Sequence, residues 1–82
     1  MSEIHMTQAK KKYLNVLYDL DPSGKGIRSI EVCKKLNVSR PSVHSMLDKL
    51  ALDGFVKKEY YGIIYLTDAG LEYGSKLSAE NK

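Results

Sequence analysis

Residues 29–54 read SIEVCKKLNVSRPSVHSMLDKLALDG, the pattern of two short amphipathic helices joined by a tight turn. Val32, Cys33 and Leu36 recur at helical spacing, with Ser29 the expected N-cap before them. Asn37-Val38-Ser39 is too polar to continue that helix and too short for a free loop. Ser39 is placed to cap a second helix, and Pro41 falls in its first turn, where no intrahelical amide donor is yet required. Val43, Met46, Leu47 and Leu50 supply the apolar stripe of this helix. Between them lie Arg40, Ser42, His44 and Ser45, all able to reach bases or phosphates. Two helices in this relation form a helix-turn-helix, which offers its second helix to the DNA major groove.

The flanking segments extend the pattern. Phe55–Glu59 and Ile63–Leu66 are short runs rich in aromatic and β-branched residues, with Tyr60-Tyr61-Gly62 as the tip of a hairpin between them. Thr67 is the expected N-cap of a helix from about 68 to 77, and Asp68 and Glu72 favour its early turns. Upstream, a helix over about 7–20 is expected to bury Tyr13, Leu14, Leu17, Tyr18 and Leu20 before Asp21-Pro22-Ser23-Gly24 stops it. The chain is thus expected to be mainly α with a small β-hairpin, a winged helix-turn-helix in one domain spanning 1–82. Its helix-turn-helix covers about 29–53 and its wing about 55–66.

Eighty-two residues suffice for one core, although a domain of this size buries only about 60% of its unfolded surface and gains from pairing with a second copy. No apolar run approaches the roughly 20 residues that span a bilayer, and no signal-peptide pattern opens the chain. One cysteine forms no internal disulfide, so a reducing cytoplasm is the expected location. Cys33, beside Val32 and Leu36, reads as a small core residue rather than a reactive thiol.

The net charge is only +3, but it is unevenly spread. Residues 28–58 carry +4, residues 59–82 carry −2 and the first 27 carry +1. The positive part coincides with the helix-turn-helix and the near arm of the wing, where phosphates would lie. Lys57 and Lys58 are expected to touch the sugar-phosphate backbone. Tyr60 and Tyr61 either join them or pack back on the domain. Lys10-Lys11-Lys12 is expected to be a solvated face, with a phosphate contact as the lesser reading. Ser23-Gly24-Lys25-Gly26 lacks the spacing of a phosphate-binding loop.

Tyr13-Leu14, Tyr18-Asp19-Leu20, Ser39, Pro41, Val43, Asp53-Gly54 and Leu66-Thr67 with Gly70 together resemble the amino-terminal domain of the iron- and manganese-dependent repressors, the diphtheria-toxin-repressor family. The likeness runs without a gap from Tyr13 to about Leu77. Its Leu-Thr-x-x-Gly wing exit is common to many winged helices; the Tyr-Leu helix and the Ser-x-Pro start are more specific. The resemblance implies a transcription factor that binds operator double-stranded DNA as a homodimer. It places DNA contacts on Ser39, Pro41, Ser42, His44 and Ser45, and a backbone contact on Ser29.

The departures are equally specific. Where the resemblance implies metal ligands, this chain has Lys12, Asn15 and Asn81. An ammonium group cannot coordinate a cation, and an isolated amide oxygen is a weak ligand. No metal and no other cofactor is therefore expected. The family's dimerisation helices lie beyond residue 82, which leaves Ile4, Met6 and Tyr13, or Leu71, Tyr73 and Leu77, as candidate pairing surfaces. No Ser-His-Asp arrangement or His/Cys/carboxylate cluster suggests an enzyme. The expected function is sequence-specific transcriptional control, as a repressor without metal activation. The alternative is a winged-helix protein-interaction module within a larger complex.

Overall fold

The computed structural model describes residues 6–59 and 62–80. In chain order the elements are α1 (Gln8–Leu20), β1 (Ile27–Arg28), α2 (Ser29–Leu36), α3 (Arg40–Leu52), β2 (Val56–Lys58), β3 (Ile63–Leu66) and α4 (Asp68–Glu80). The three strands form one antiparallel sheet in the order β1-β3-β2. Four helices and this small sheet make a winged helix, as the residue pattern predicts.

Side-chain caps set the helix starts. Thr7 Oγ1 accepts the Lys10 N–H at 3.1 Å, Ser39 Oγ accepts that of Ser42 at 3.3 Å, and Thr67 Oγ1 accepts that of Gly70 at 3.1 Å. Ser29 does not play this part. It is the first residue of α2, and Arg28 is the N-cap, its N–H donating to the Glu31 carboxylate at 3.2 Å. Asn37 ends α2 at φ 56°, a left-handed position that asparagine tolerates. The last helix runs to Glu80, one turn beyond the expected end.

One core joins these elements. Leu14 and Leu17 of α1, Val32 of α2, and Val43, Leu47 and Leu50 of α3 are fully buried, with Ile27 and Ile64 closing the sheet side. Leu20 departs from the expected set: at the last turn of α1 its side chain has left the core face and is 37% exposed. Met46 and Tyr18 are only partly buried against the cluster. Between α1 and β1 the Asp21 carboxylate, itself buried, accepts the N–H groups of Lys25 at 3.0 Å and Gly26 at 2.7 Å. That pair of bonds turns the chain so that Ile27 arrives opposite Ile64.

Two readings of surface are corrected. Lys10 is buried, its ammonium 2.7 Å from Asp53 Oδ2, so this lysine fastens α1 to the end of α3 rather than lining a solvated face. The apolar residues suggested for pairing are also less exposed than expected. Tyr13 lies in the core; Met6, Leu71, Tyr73 and Leu77 pack against it, and the Tyr73 ring meets Phe55 edge-on at 5.4 Å. Ile4 lies outside the described residues.

Cys33 is 7% exposed among core side chains. Burial, followed by the charge of Cys33, raises the pKa of neighbouring Tyr13 above its ordinary value. A thiol reagent should therefore label Cys33 slowly in the native protein and rapidly after denaturation. Fast native labelling with loss of DNA binding would make it a redox sensor instead.

Candidate nucleic-acid interface

The outer face of α3 follows from what its inner face must do. Val43, Leu47 and Leu50 have no exposed surface, which fixes the roll of the helix. Arg40, Pro41, Ser42, His44 and Ser45 are then all exposed, in the first two turns. Pro41, near the start of the helix, leaves no unpaired amide there. The Ser39 hydroxyl donates to Ser42 Oγ at 3.0 Å while accepting the Ser42 N–H, so both serines hold the turn that presents this face.

The fold brings a second group beside it. Arg28, Ser29 and Ile30 line a shallow hollow with Arg40, His44 and Gly62. Ser29, Arg40 and His44 thus converge from two helices, next to Gly62 at the tip end of the wing. Sequence reasoning counted Arg28 only as charge and did not place it at the site. Its position depends on β1, whose two residues are too few to carry a period.

On the wing, Lys57 extends into solvent, 72% exposed with Glu59 at 3.9 Å, and Lys58 bonds Asp48 of α3 at 2.5 Å. The Asp48 carboxyl is held below the usual carboxylate range, first by the hydrogen bond from Lys58, then by its charge, with a smaller contribution from His44. The hairpin is closed by the Glu59 N–H donating to the Ile63 carbonyl at 2.8 Å, and Gly62 takes φ 71°. Tyr60 and Tyr61, expected to meet the sugar-phosphate backbone, lie outside the described residues.

Against this geometry, residues 5–63 match the iron-dependent repressor N-terminal DNA-binding domain. The chain belongs to that family. It is 32% identical over 78 residues to an uncharacterized HTH-type transcriptional regulator of Methanocaldococcus jannaschii, covering 94% of this chain and 62% of the relative. Among solved structures, the manganese regulator SloR superposes with a TM-score of 0.68 at 33% identity over 89% of this chain and 34% of its own. The reduced form of MarR from E. coli shares the fold, with a TM-score of 0.76 at 24% identity over 93% of this chain and 54% of its own. The chain therefore spans less than two-thirds of the length of these relatives. It is the DNA-binding winged helix of a transcriptional regulator, and family and fold are those of regulators rather than enzymes.

Family membership raises the question of a metal. Lys12 and Asn15 line a groove between α1 and α4 with Gln8, Lys11, Leu77 and Glu80. Two ammonium groups, two amides and one carboxylate do not make a site for a divalent transition metal. Among the described residues no group of three His, Cys, Asp or Glu side chains could hold one. Asn81 lies outside them. No helix among the described residues is long and apolar enough to cross a membrane.

Proposed function

We propose that this chain reads operator DNA for a transcriptional repressor that acts as a homodimer in the cytoplasm and needs no metal ion for activation. The carrying observation is the face of α3, where Arg40, Pro41, Ser42, His44 and Ser45 stand exposed while the opposite side is sealed in the core. Ser42, His44 and Ser45 meet base edges in the major groove, and Arg40 reaches a guanine or a phosphate. Ser39 and Pro41 set the approach of the helix. Ser29 and Lys57 bind the sugar-phosphate backbone, joined by Lys58 and by the wing-tip residues Tyr60 and Tyr61. Two copies place two such helices on adjacent half-sites of a palindrome. Repression follows sterically from occupancy.

A protein-docking role is the weaker reading, because the outer face is basic and hydroxylated where a protein-binding helix would offer an apolar stripe. Metal independence rests on the donor set of the α1–α4 groove. Binding titrations on genomic duplex fragments, with manganese, with ferrous iron and with a chelator, test both readings. Affinity should be the same in all three conditions. A metal-dependent gain of about tenfold, ordinary for allosteric coupling, would restore the metal switch. Failure to bind any duplex would return the chain to the docking role.

A further inference from the structure

Lys58 and Asp48 join the wing to the recognition helix across the face proposed to meet DNA. The Lys58 ammonium donates to Asp48 Oδ1 at 2.5 Å, with the two side chains 37% and 64% exposed. Asp48 is the single acid within α3. It lies one turn beyond His44 and two beyond Arg40, so it shares their side of the helix.

A purely structural purpose explains this pair poorly. Exposed ion pairs add little stability, and β2 is already held without it. Val56 pairs with Leu66 and Lys58 with Ile64 in the sheet, while Phe55 and Val56 are buried in the core. An ionised carboxylate on a surface offered to a polyanion is also adverse unless a cation neutralises it. Lys58 does so at hydrogen-bonding distance, and its hydrogen bond further favours the ionised form of Asp48. In return, Asp48 gives Lys58 a charged oxygen acceptor, the same kind of partner that a phosphate would provide.

We infer that Asp48 is an intramolecular stand-in for a DNA phosphate, occupying Lys58 in the free protein and so limiting the hold of the wing on the DNA backbone. A phosphate must displace this carboxylate before Lys58 contributes to charge neutralisation. The bases are not involved, so the brake lowers affinity for operator and non-operator DNA by the same factor. Asp48 thereby sets affinity and leaves sequence preference to Ser42, His44 and Ser45.

The inference rests on the DNA-binding reading, and one set of titrations separates the two. Wild type, D48N, K58Q and the D48N/K58Q double variant are titrated on an operator duplex and a scrambled duplex at several salt concentrations. D48N should tighten both duplexes equally, by up to about fivefold, the ceiling set by an exposed pair. Its plot of log affinity against log salt should steepen by up to about 0.9, the slope of one fully neutralised phosphate. The gain should vanish when Lys58 is also replaced. A misfolded variant cannot imitate tighter binding. The inference is overturned if D48N weakens binding, as a strut would require, or shifts base preference, as a base reader would. It is also overturned if the tightening persists without Lys58, since the carboxylate would then repel phosphates directly. Should wild type bind and D48N match it, the brake alone falls; should wild type bind no duplex, the DNA reading falls with it.

Discussion

Gly70→Ala is expected to destabilise the domain by about 2–4 kcal/mol, a large share of the total stability of a small domain. A Cβ at this position would stand 2.1 Å from the Phe55 carbonyl oxygen and 3.0 Å from Leu66 Cδ2. Neither neighbour can yield easily. The Phe55 carbonyl accepts the Thr67 N–H at 3.0 Å, and the Phe55 and Leu66 side chains are both in the core. The first turn of α4 would have to lift away from the base of the wing. Gly54→Ala supplies the comparison. Gly54 has φ +84° but nothing within 4 Å of the added carbon, so only backbone strain of about 1–2 kcal/mol applies. Urea unfolding of the two variants checks the ordering. Equal losses would show that close packing of α4 on the wing is not what the glycine serves.

Substitutions on the recognition helix and on the wing should alter binding in different ways. Ser42→Ala or His44→Ala is expected to change which operator bases are preferred, at a cost of about 1–3 kcal/mol at the affected pair. Both side chains are exposed on the face opposite the core, and the cap bond of α3 uses the Ser42 backbone N–H, which alanine retains. Ser42 Oγ accepts from Ser39 and so keeps its own proton for a base acceptor. Lys57→Ala should instead weaken all sequences alike and flatten the salt dependence by about one unit of slope. Lys58→Ala should act in the same direction but less, since Lys58 already has Asp48 as a partner. Titrations on matched and scrambled operators across a salt series distinguish the patterns. Base preference altered by the wing lysines, with Ser42 and His44 silent, would mean that α3 is not the reader.

Much of this molecule was readable residue by residue because the signals are local. Val43, Leu47 and Leu50 recur at the helical period, and a stripe of that spacing has one way to be buried. Ser39 and Thr67 announce helix starts because a side-chain oxygen only has to reach two or three residues ahead. The wing strands were legible from Phe55 to Leu66 because β-branched and aromatic residues favour a half-buried pleated surface. The exposed set on α3 then followed by subtraction. Ser29 shows the limit of such signals: it is a good capping residue, yet helical geometry begins at Ser29 itself and Arg28 becomes the cap.

What the chain alone did not reveal depends on partners far away along it. Strand β1 is two residues long, and only its pairing with Ile63 and Ile64 makes it a strand and brings Arg28 beside Arg40 and His44. Lys10 reads as one member of a basic run until Asp53, 43 residues on, is found against it. Lys58 reads as a free wing cation until Asp48 is seen across the gap. In each case the charge or the backbone donor is visible in the sequence, but its partner is chosen by how α1, α3 and the sheet close around Leu14, Leu17 and Leu47. Local periodicity specifies which face of each element is apolar; the packing of those faces decides which polar groups meet, because a pairwise contact carries no period of its own.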